Sequence, residues 1–583
     1  MSTYSNDPVP FGAVDYIVFS VMLTISTATG LYHGFAKGGQ QSTSRYLLAD
    51  KKMHFLPVAM SLLVSMTSPL GLLGTPSEVY VHGIAHITAL LGLLWCLPLG
   101  AFIFVPVFHD INITSAYEYM ELRFNFTLRI IVAVIFMLQS VFYTAANLIG
   151  PALALDAVLG ISIWQTMIVT GALCTIYTAL GGMKAVIWTD VFQFFVIFGT
   201  LFTVIVMGVV TAGGFEEVFR INADHGRLDA FSFDFDPTIR ISFFSAVFGS
   251  GIGFSPTYVS QTAVQRYMTV RSVRHSQATL LINIPLLYIT LPILYLAGLV
   301  LFAFYNNDLT PLQLAINTSS TDLPNYMPSG GADARYEPNF MSADQILVYF
   351  VSSQLGHIHG IQGLFIAGLF AGALSSVSTS LNSMTAVTLV DFIKPYRKWK
   401  AARQGKEIYK NDKRDTIVSK VLTCVYGLIG IGLAFVTSRL GSLLVLATTI
   451  LGVTGGPAFG AFTVGMVYRR ANSIGTLFGT VLGFAFGLLI SLGAYANQGS
   501  TEDVAAIYRL SFLMYAAYSF AVTVLIGILV SEFVNICFRK GIVQPVDPLL
   551  LTRILRPSNL KTADNHVGIS NHEEYSEIQA RIG

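Results

Sequence analysis

Charged residues are scarce in this sequence, and that scarcity excludes most classes of soluble protein. Lys, Arg, Asp and Glu make up 11% of the 583 residues, against roughly 25% in a typical soluble domain. Hydrophobic residues make up 53%, and the mean hydropathy is +0.63. A formal net charge of +2 is too small to attract nucleic acid as a partner. We therefore predict a polytopic protein whose surroundings are a lipid bilayer.

Cysteines and recognisable catalytic patterns are also few. The four cysteines, Cys96, Cys174, Cys424 and Cys537, all fall in apolar segments, which argues against a disulfide framework or a zinc site. No set of nucleophile, base and orienting group occurs at a recognisable spacing, and no cluster of metal-ligating residues is apparent. We predict that the protein is not an enzyme and that it needs no cofactor.

Long apolar runs are abundant, and their number sets the topology. Runs of about 20 apolar residues predict thirteen transmembrane helices. These lie near 14–32, 54–78, 84–107, 127–155, 162–180, 185–210, 241–259, 277–305, 360–392, 417–438, 442–467, 472–492 and 507–536. An odd number of spans places the two ends of the chain on opposite sides of the membrane.

Basic residues predict the orientation of these spans. With the N-terminus outside, most of the 34 Lys and Arg residues lie inside, as the positive-inside rule requires. The six exceptions are Arg220, Arg227, Arg240, Arg335, Arg439 and Arg509. One basic loop at 394–414 could dominate the count, but removing it leaves the sign unchanged. Of the three sequons, Asn112 and Asn125 are then inside and only Asn317, outside, is expected to carry a glycan.

Two of the predicted helices are interrupted by proline and glycine. The segment "MTSPLGLLGTPSE" (66–78) breaks the helix 54–78, and "FGSGIGFSPTY" breaks the helix 241–259 near its middle. Interrupted helices in corresponding positions of two inverted halves indicate a transporter site lined by unwound backbone. The alternative is a pair of kinked helices that only pack. No Lys or Arg lies in the middle of either helix, so an anionic solute would depend on helix N-termini and on a co-bound cation.

This reading divides the chain into segments with five helices in each repeat. The segments are 1–53 with an extracellular N-terminus, first helix and cytoplasmic loop, 54–210 as the first repeat, 211–240 as an extracellular loop, 241–467 as the inverted second repeat, 468–540 with two added helices, and 541–583 as a cytoplasmic tail. We predict that the tail is polar and flexible, without a partner motif.

Hydroxyl groups are concentrated in the helix 360–392. Eight polar side chains fall within eleven residues, namely Ser375, Ser376, Ser378, Thr379, Ser380, Asn382, Ser383 and Thr385. About half are expected to bond back to helix carbonyls or to neighbouring helices, and the others can supply oxygen ligands to a hard cation such as sodium. Asp190, with Gln193 on the same helix face, indicates either a cation pathway or an interfacial carboxylate. Glu78, Asp156 and Asp391 lie at predicted helix ends and are expected to be interfacial.

Five segments together resemble one known family. They are "LLGTPSEVY" (72–80), "TSAYEYMELRFN" (114–125), "GGMKAVIWTDVFQ" (181–193), "SQTAVQRY" (260–267) and "LSSVSTSLNSMTAVTLVDFIKP" (374–395). From about residue 10 to 540 the chain resembles the sodium/solute symporters, in the branch of the iodide, monocarboxylate and multivitamin transporters. The resemblance implies an all-α, five-plus-five inverted-repeat fold of the LeuT type, with one extra helix before it and two after it, and alternating access driven by sodium.

The resemblance also implies site residues. The shared sodium site of the family falls on the hydroxyls of Ser375 and Ser376 and on the carbonyls of Val64, Thr67 and Gly372. Asp190 and Gln193 match the family motif "TDxxQ", which is implicated in cation passage and gating. The substrate-facing breaks comprise Ser68, Pro69, Gly71, Gly253, Ser255 and Gln261.

Two departures from the branch lie at these breaks. Relatives read "SAVQ" or "SAVT" where this chain has "SPLG", so that Gly71 replaces a polar side chain, and Ser260 stands where Asn is usual beside Gln261. Both bear on substrate identity.

Taken together, the sequence predicts a plasma-membrane symporter that imports a small organic anion with sodium. A monocarboxylate or a carboxylate-bearing vitamin such as biotin or pantothenate is the expected solute, and iodide or another inorganic anion is the alternative. Sugar transport is disfavoured because the sugar branch's patterns are missing around the breaks. A sodium-leak channel or a substrate sensor is the alternative of another class.

Overall fold

The computed structural model describes residues 9–35, 42–305, 343–405, 411–437, 443–497, 504–537 and 546–556. Within these ranges the chain is helical, and the one β-type contact is an isolated bridge between Met53 and Val270. The predicted glycosylation residue Asn317 lies outside the described residues.

The first half of the described chain contains both short and long helices. They are α1 Ala13–Phe35, α2 Thr43–Leu48, α3 Phe55–Met66, α4 Pro69–His82, α5 Ala89–Leu99, α6 Val105–Asp110, α7 Glu118–Arg123, α8 Phe126–Asn147, α9 Ile149–Leu159, α10 Ile163–Thr211 and α11 Phe215–Asp224. A wide-turn segment, Gly100–Phe104, joins α5 to α6, and a short 3₁₀ turn, Ile84–Thr88, precedes α5.

The helices of the second half begin with short pieces and continue with long spans. They are α12 Ser250–Phe254, α13 Pro256–Val259, α14 Gln261–Tyr267, α15 Val273–Leu281, α16 Asn283–Tyr305, α17 Ile346–Gln354, α18 Ile361–Val387, α19 Lys394–Arg403, α20 Asp412–Thr437, α21 Leu443–Val467, α22 Ser473–Ala496 and α23 Tyr515–Cys537. Wide-turn segments Ser245–Gly249 and Thr388–Ile393 precede α12 and α19.

Ten helical segments of the described residues are long and apolar enough to span a membrane, or eleven when the bent pair α3 and α4 counts as one span. The two further predicted spans are also visible. One is the second part of α10, where Gly182 at φ +60° and ψ −166° interrupts a 49-residue helix between the spans expected at 162–180 and 185–210. The other is the segmented helix at Ser245–Val259. The structure thus accommodates the thirteen predicted spans.

The first predicted break is a real bend. Helices α3 and α4 meet at an angle of 54°, and Thr67 and Ser68 between them leave the helical region of backbone space, with ψ values of 68° and 162°. Pro69 begins α4, where its missing N–H costs nothing. Pro76, in contrast, lies inside α4, which continues through it to His82.

The second predicted break is placed differently from the expectation. Gly249 and Ser255 keep right-handed helical backbone angles, so the glycine run does not unwind the helix at its middle. The extended residue is Ser260, with ψ 152°, between α13 and α14. The glycines instead allow close packing, because a Cβ on Gly251 would lie 2.2 Å from the Trp95 ring. Proline 256 therefore only removes one hydrogen bond, and the chain turns four residues later.

Helix α18 lies at the centre of the bundle. All its residues from Ile361 to Val387 are buried apart from Leu364, and it packs against α1, α3, α8, α10 and α20. Helix α1 packs against α10 and α18. This arrangement places the hydroxyl-rich helix beside the bend between α3 and α4.

One part of the predicted tail departs from the expectation of flexibility. Residues 546–556, which we call the C-terminal strap, form two 3₁₀ turns against the bundle, and Leu550 and Leu551 are buried. Arg553 and Arg556 both donate to Asp110 at the end of α6, at 2.9 and 2.7 Å, and Thr552 N donates to Met466 O at 3.0 Å. Sequence reasoning missed the strap because a few apolar residues among polar ones carry no periodicity.

Candidate sodium and substrate site

The bend between α3 and α4 leaves backbone carbonyls next to α18. The amides of Gly71 and Leu72 both donate to Ser68 O, at 3.0 and 2.9 Å, so the Gly71 amide does not take the Thr67 carbonyl four residues earlier. That carbonyl faces α18, since a Cβ on Gly372 would lie 3.2 Å from it. Val64 is buried one turn before the bend. The bend therefore places the Thr67 carbonyl beside Gly372 of α18, while the ligand roles of Val64, Thr67 and Gly372 stay predictions.

The two predicted hydroxyl ligands lie on the same stretch of α18. Ser375 Oγ is 3.1 Å from Ser65 Oγ on α3. Ser376 Oγ is buried and has no hydrogen-bond partner among the described residues. A buried hydroxyl without a partner is unfavourable, and a hard cation is the kind of ligand that satisfies such oxygens. The residues present thus fit a sodium ion.

The remaining hydroxyls of α18 divide as expected between local and interhelical bonds. Ser378 and Thr379 donate back to Ser375 O at 3.1 and 2.7 Å. Three others reach neighbouring helices: Asn382 reaches Met183, Ser383 reaches Gln265, and Thr385 reaches Thr423. These contacts explain five of the eight polar side chains by packing alone.

A buried arginine lies beside the predicted site, on a helix that follows the interrupted one, and sequence reasoning missed it. Arg266 of α14 is fully buried, and its Nη2 donates to Asp190 Oδ2 at 2.9 Å and to Ser65 Oγ at 2.6 Å. It also donates to Thr379 Oγ1, and its Nε donates to Ser61 Oγ at 2.8 Å. The segment "SQTAVQRY" carried no expectation for Arg266, and the extended Ser260 directs α14 back into the bundle.

Asp190 is therefore one half of a buried ion pair. Its Oδ2 also accepts from Ser61 Oγ at 2.5 Å, while its Oδ1 has no partner among the described residues. Gln193, one turn along α10, is likewise buried with both amide atoms unpartnered in the described structure. The proposed passage of a cation along this face stays a prediction. The structure adds that the Asp190 charge is balanced by Arg266.

A cavity of about 240 Å³ extends from this cluster between the helices. Its polar lining comprises Ser65, Ser68, Thr75, His86, Gln139, Ser140, Tyr143, Ser250, Thr257, Ser260, Thr262, Arg266, Tyr295, Ser376, Thr379, Ser380 and Thr448. Apolar residues such as Met66, Phe136 and Leu451 fill the rest. Arg266 is the single arginine of the described lining, which contains no carboxylate. The cavity reaches the start of α21, a helix end that the sequence places outside.

Three of the predicted substrate-facing residues line this cavity and three do not. Ser68, Gly71 and Gly253 line it. Pro69 instead packs against α9, where a Cβ on Gly150 would lie 2.6 Å from it. Ser255 Oγ donates to Gly251 O within its own helix at 2.9 Å, a local bond back to the carbonyl four residues earlier.

Gln261 has a structural position away from the cavity. Its Oε1 accepts from Ala116 N at 2.8 Å, and its Nε2 donates to Thr114 O at 3.0 Å. It therefore holds the loop before α7 against the start of α14. The expectation that Pro69, Ser255 and Gln261 face the substrate is corrected by these contacts.

Two ion pairs close the ends of the bundle, which corrects the expectation that Glu78 and Asp391 are interfacial. Glu78 of α4 accepts two hydrogen bonds from Arg240, each at 2.9 Å, and is buried. At the opposite end Asp391 is fully buried, accepts from Arg129 Nε at 2.7 Å and from Ser115 Oγ at 2.5 Å. Asp156, in contrast, is half-buried. Sequence reasoning missed these ion pairs because no spacing along the chain connects either carboxylate with its arginine.

The loops at both ends also carry perturbed charges. Arg227, before the segmented helix, donates to Val79 O at 2.6 Å and lies over the Phe302 ring at 3.8 Å. Burial lowers the pKa of Arg227 to about 10, so it stays protonated at neutral pH. Burial raises the pKa of Glu118 in the loop helix α7, against the opposing effect of Arg129. Both groups tie loops to helix ends.

Several known proteins are similar to this chain in sequence. Residues 46–483 match the model of the sodium:solute symporter family. The sodium-dependent multivitamin transporter of Oryctolagus cuniculus is 34% identical over 561 residues, covering 89% of this chain and 82% of that protein. The sodium-coupled monocarboxylate transporter 1 of Homo sapiens is 36% identical, covering 82% and 73%, and the sodium/iodide cotransporter of Homo sapiens is 37% identical, covering 85% and 72%.

A solved structure shares the fold. The structure of a Na⁺-coupled sialic acid symporter in a substrate-bound outward-open state matches with a TM-score of 0.72 and 25% sequence identity. The match covers 90% of this chain and 98% of that chain.

Proposed function

The chain belongs to the sodium:solute symporter family, and we propose that its solute is a small organic anion bearing a carboxylate. Its relatives are named for multivitamins, monocarboxylates and iodide. The family membership makes the protein a multi-pass membrane symporter whose partners are sodium and a small solute. The substrate, the sodium ligands, the plasma-membrane location and the outside N-terminus are proposals.

The observation that carries the proposal is the balanced charge beside the cavity. Arg266 is the single charged residue of the described lining, and its charge is neutralised by Asp190 at 2.9 Å. Its donors are also occupied by Ser61, Ser65 and Thr379. An anion entering the cavity alone would add an uncompensated charge in a low-dielectric environment, which is costly.

Sodium at the bend removes that cost. In the proposed site the ion is held by the carbonyls of Val64, Thr67 and Gly372 and by the hydroxyls of Ser375 and Ser376. Its positive charge then lies next to the cavity surface formed by Ser68 and Ser376, so the carboxylate and sodium each favour binding of the other. This reciprocal coupling is a physical basis for symport.

The ion pair of Arg129 and Asp391 supports alternating access. The cavity extends toward the helix ends near Leu444 and Phe512, whereas the opposite side is sealed by Arg129 and Asp391 with the loop before α7. We propose that sodium and anion enter from the former side, and that release requires separation of the latter contacts.

Uptake by proteoliposomes tests this function. Purified protein is reconstituted, an inward sodium gradient is applied, and accumulation of radiolabelled propionate, pantothenate, biotin and iodide is compared with a potassium control. We expect carboxylates to accumulate above the external concentration only with sodium. Sodium current without accumulation would indicate a channel, no uptake with binding would indicate a sensor, and accumulation of iodide alone would overturn the carboxylate assignment.

A further inference from the structure

The cavity has a second polar region at the end away from the predicted sodium site. His86, in the 3₁₀ turn after α4, and Tyr295 of α16 both line it. The Tyr295 hydroxyl lies 3.1 Å from His86 Nδ1 and 3.1 Å from His86 O, and the two rings are 5.8 Å apart. We call His86 and Tyr295 the distal pair.

The two side chains of the distal pair are buried. Tyr295 is 2% exposed and His86 is 9% exposed, so both side chains are held in the protein interior. Because Tyr295 occupies the Nδ1 side of the imidazole, Nε2 is the ring nitrogen that can serve a ligand. In the described part of the chain no further hydrogen bond is made by the His86 ring. Nε2 is therefore the ring atom available to a ligand in the cavity.

Along α4 the cavity lining runs from Ser68 at the bend to Thr75, and Pro76 lies beside Gly298, one turn from Tyr295, so the distal pair lies away from the bend. Lining residues on α21 run from Leu444 to Gly452, and those on the segmented helix run from Gly249 to Ser260. At 1.5 Å per helical residue these stretches span roughly 12 to 16 Å. Met66, Phe136 and Leu451 are among the apolar residues of the lining. A small monocarboxylate or a monatomic anion would contact one end only.

Gly71 adds width to this path. It lines the cavity, and a Cβ placed on it would meet no atom within 4 Å. Two other cavity glycines are crowded, since a Cβ on Gly249 would lie 2.7 Å from Leu513 O and one on Gly452 would lie 3.1 Å from Ala516 N. The first turn of α4 therefore leaves room for the body of a ligand that begins at Ser68 and continues outward.

We propose that the distal pair is a specificity site that hydrogen-bonds a second polar group, at the far end of an elongated carboxylate. The carboxylate lies at the bend beside sodium, the apolar middle of the molecule passes Gly71, and the far hydroxyl, amide or ureido group meets His86 Nε2 and the Tyr295 hydroxyl. This inference rests on the proposed carboxylate function and adds the substrate's length and its two-ended polarity.

Sodium-dependent uptake of long and short carboxylates tests the distal pair. Pantothenate and biotin are the long probes, and propionate is the short probe. We expect Tyr295→Phe and His86→Leu each to lower the ratio of long-probe to short-probe kcat/KM about tenfold, because one buried hydrogen bond is lost. The loss should appear in KM for the long probes. Gly71→Leu, which fills the path without touching the distal pair, should lower the same ratio at least as much.

A tyrosine on the same helix supplies the matched control. Tyr288 of α16 donates to Leu90 O at 2.7 Å and does not line the cavity, so Tyr288→Phe removes an equivalent hydroxyl elsewhere. The ratio should stay within twofold of wild type in that variant. An unchanged ratio in both His86→Leu and Tyr295→Phe, or an equal loss for all probes, would overturn the distal pair. Absence of any carboxylate uptake by the wild type would instead overturn the proposed function.

Discussion

At the residue scale, the pair formed by Arg266 and Asp190 shows which contacts sequence reasoning misses. Both residues were visible, in "SQTAVQRY" and in "WTDVFQ", but neither the period nor the spacing connects them. They meet beside Ser61 of α3, whose hydroxyl donates to Asp190 and accepts from Arg266. The hydroxyls on α18 were easier to predict, since their density alone marks them.

Breaking one side of this buried pair should be costly. We expect Arg266→Gln to lower the free energy of unfolding by about 3–5 kcal/mol, because Asp190 would be left as an uncompensated buried charge. Denaturant titration of the protein in micelles measures the change. The double variant Asp190→Asn with Arg266→Gln should recover more than half of the loss, and a single Arg266→Gln variant as stable as wild type would contradict the assignment.

Ser376 should affect sodium rather than folding. Its hydroxyl has no protein partner among the described residues, so Ser376→Ala leaves no donor or acceptor unsatisfied. We expect the sodium concentration for half-maximal uptake to rise about tenfold or more, as for loss of one contact to an ion, with surface expression maintained. Sodium titration of uptake is the measurement.

The control for Ser376 is a buried serine with a local bond. Ser419 of α20 donates to Asp415 O at 2.9 Å, and Ser419→Ala should leave sodium activation unchanged. Unaltered sodium activation in Ser376→Ala would remove this residue from the ligand set.

At the element scale, the sequence was sufficient to predict which segments are helical, but only some of the positions at which the helices are interrupted. The bend at Ser68 follows directly from Pro69 at the start of α4. The glycines of the segmented helix gave the same signal but serve close packing, as Gly251 against Trp95 shows. Gly182 gave no warning of its positive φ, yet it divides α10. Proline and glycine therefore mark positions where a helix can bend or pack closely. Tertiary contacts decide which of the two occurs.

Close approach of α4 and α16 depends on one glycine. A Cβ on Gly298 would lie 2.5 Å from Val79 Cβ and 2.7 Å from Pro76 O. We expect Gly298→Ala to lower the free energy of unfolding by about 1–3 kcal/mol through overpacking. Gly199 of α10 is the matched site, since a Cβ there meets nothing within 4 Å, and Gly199→Ala should be neutral or slightly stabilising. Equal thermal midpoints for the two variants would contradict the contact.

At the scale of the whole molecule, the C-terminal strap joins parts that are far apart in the chain. Its contacts are with Asp110 of α6, with Tyr119 of α7, whose hydroxyl donates to Leu550 O at 3.1 Å, and with Met466 of α21. Arg123 of α7 also donates to Gly465 O at 3.0 Å. The first and second repeats are thereby connected on the face opposite the open end of the cavity.

Removing the acceptor of the strap should release it. We expect Asp110→Asn to accelerate amide hydrogen exchange in residues 546–556, because Arg553 and Arg556 both donate to that carboxylate. Exchange followed by mass spectrometry is the measurement. Glu217→Gln, which alters the exposed pair with Arg220, is the control and should change nothing in the strap, as surface pairs contribute little. Unchanged protection in Asp110→Asn would show that apolar burial alone holds the strap.

The strap also sets an order for biosynthesis. Asp110 and Arg556 are 446 residues apart in sequence, so the ribosome completes every membrane helix before this contact can form. Loop closure over such a separation comes last in assembly. A chain that ended at a stop codon after Cys537 would contain all the membrane helices but would lack the C-terminal strap and its contacts. Loss of the final segment would then act as a defect of maturation, in a protein whose transport site is intact.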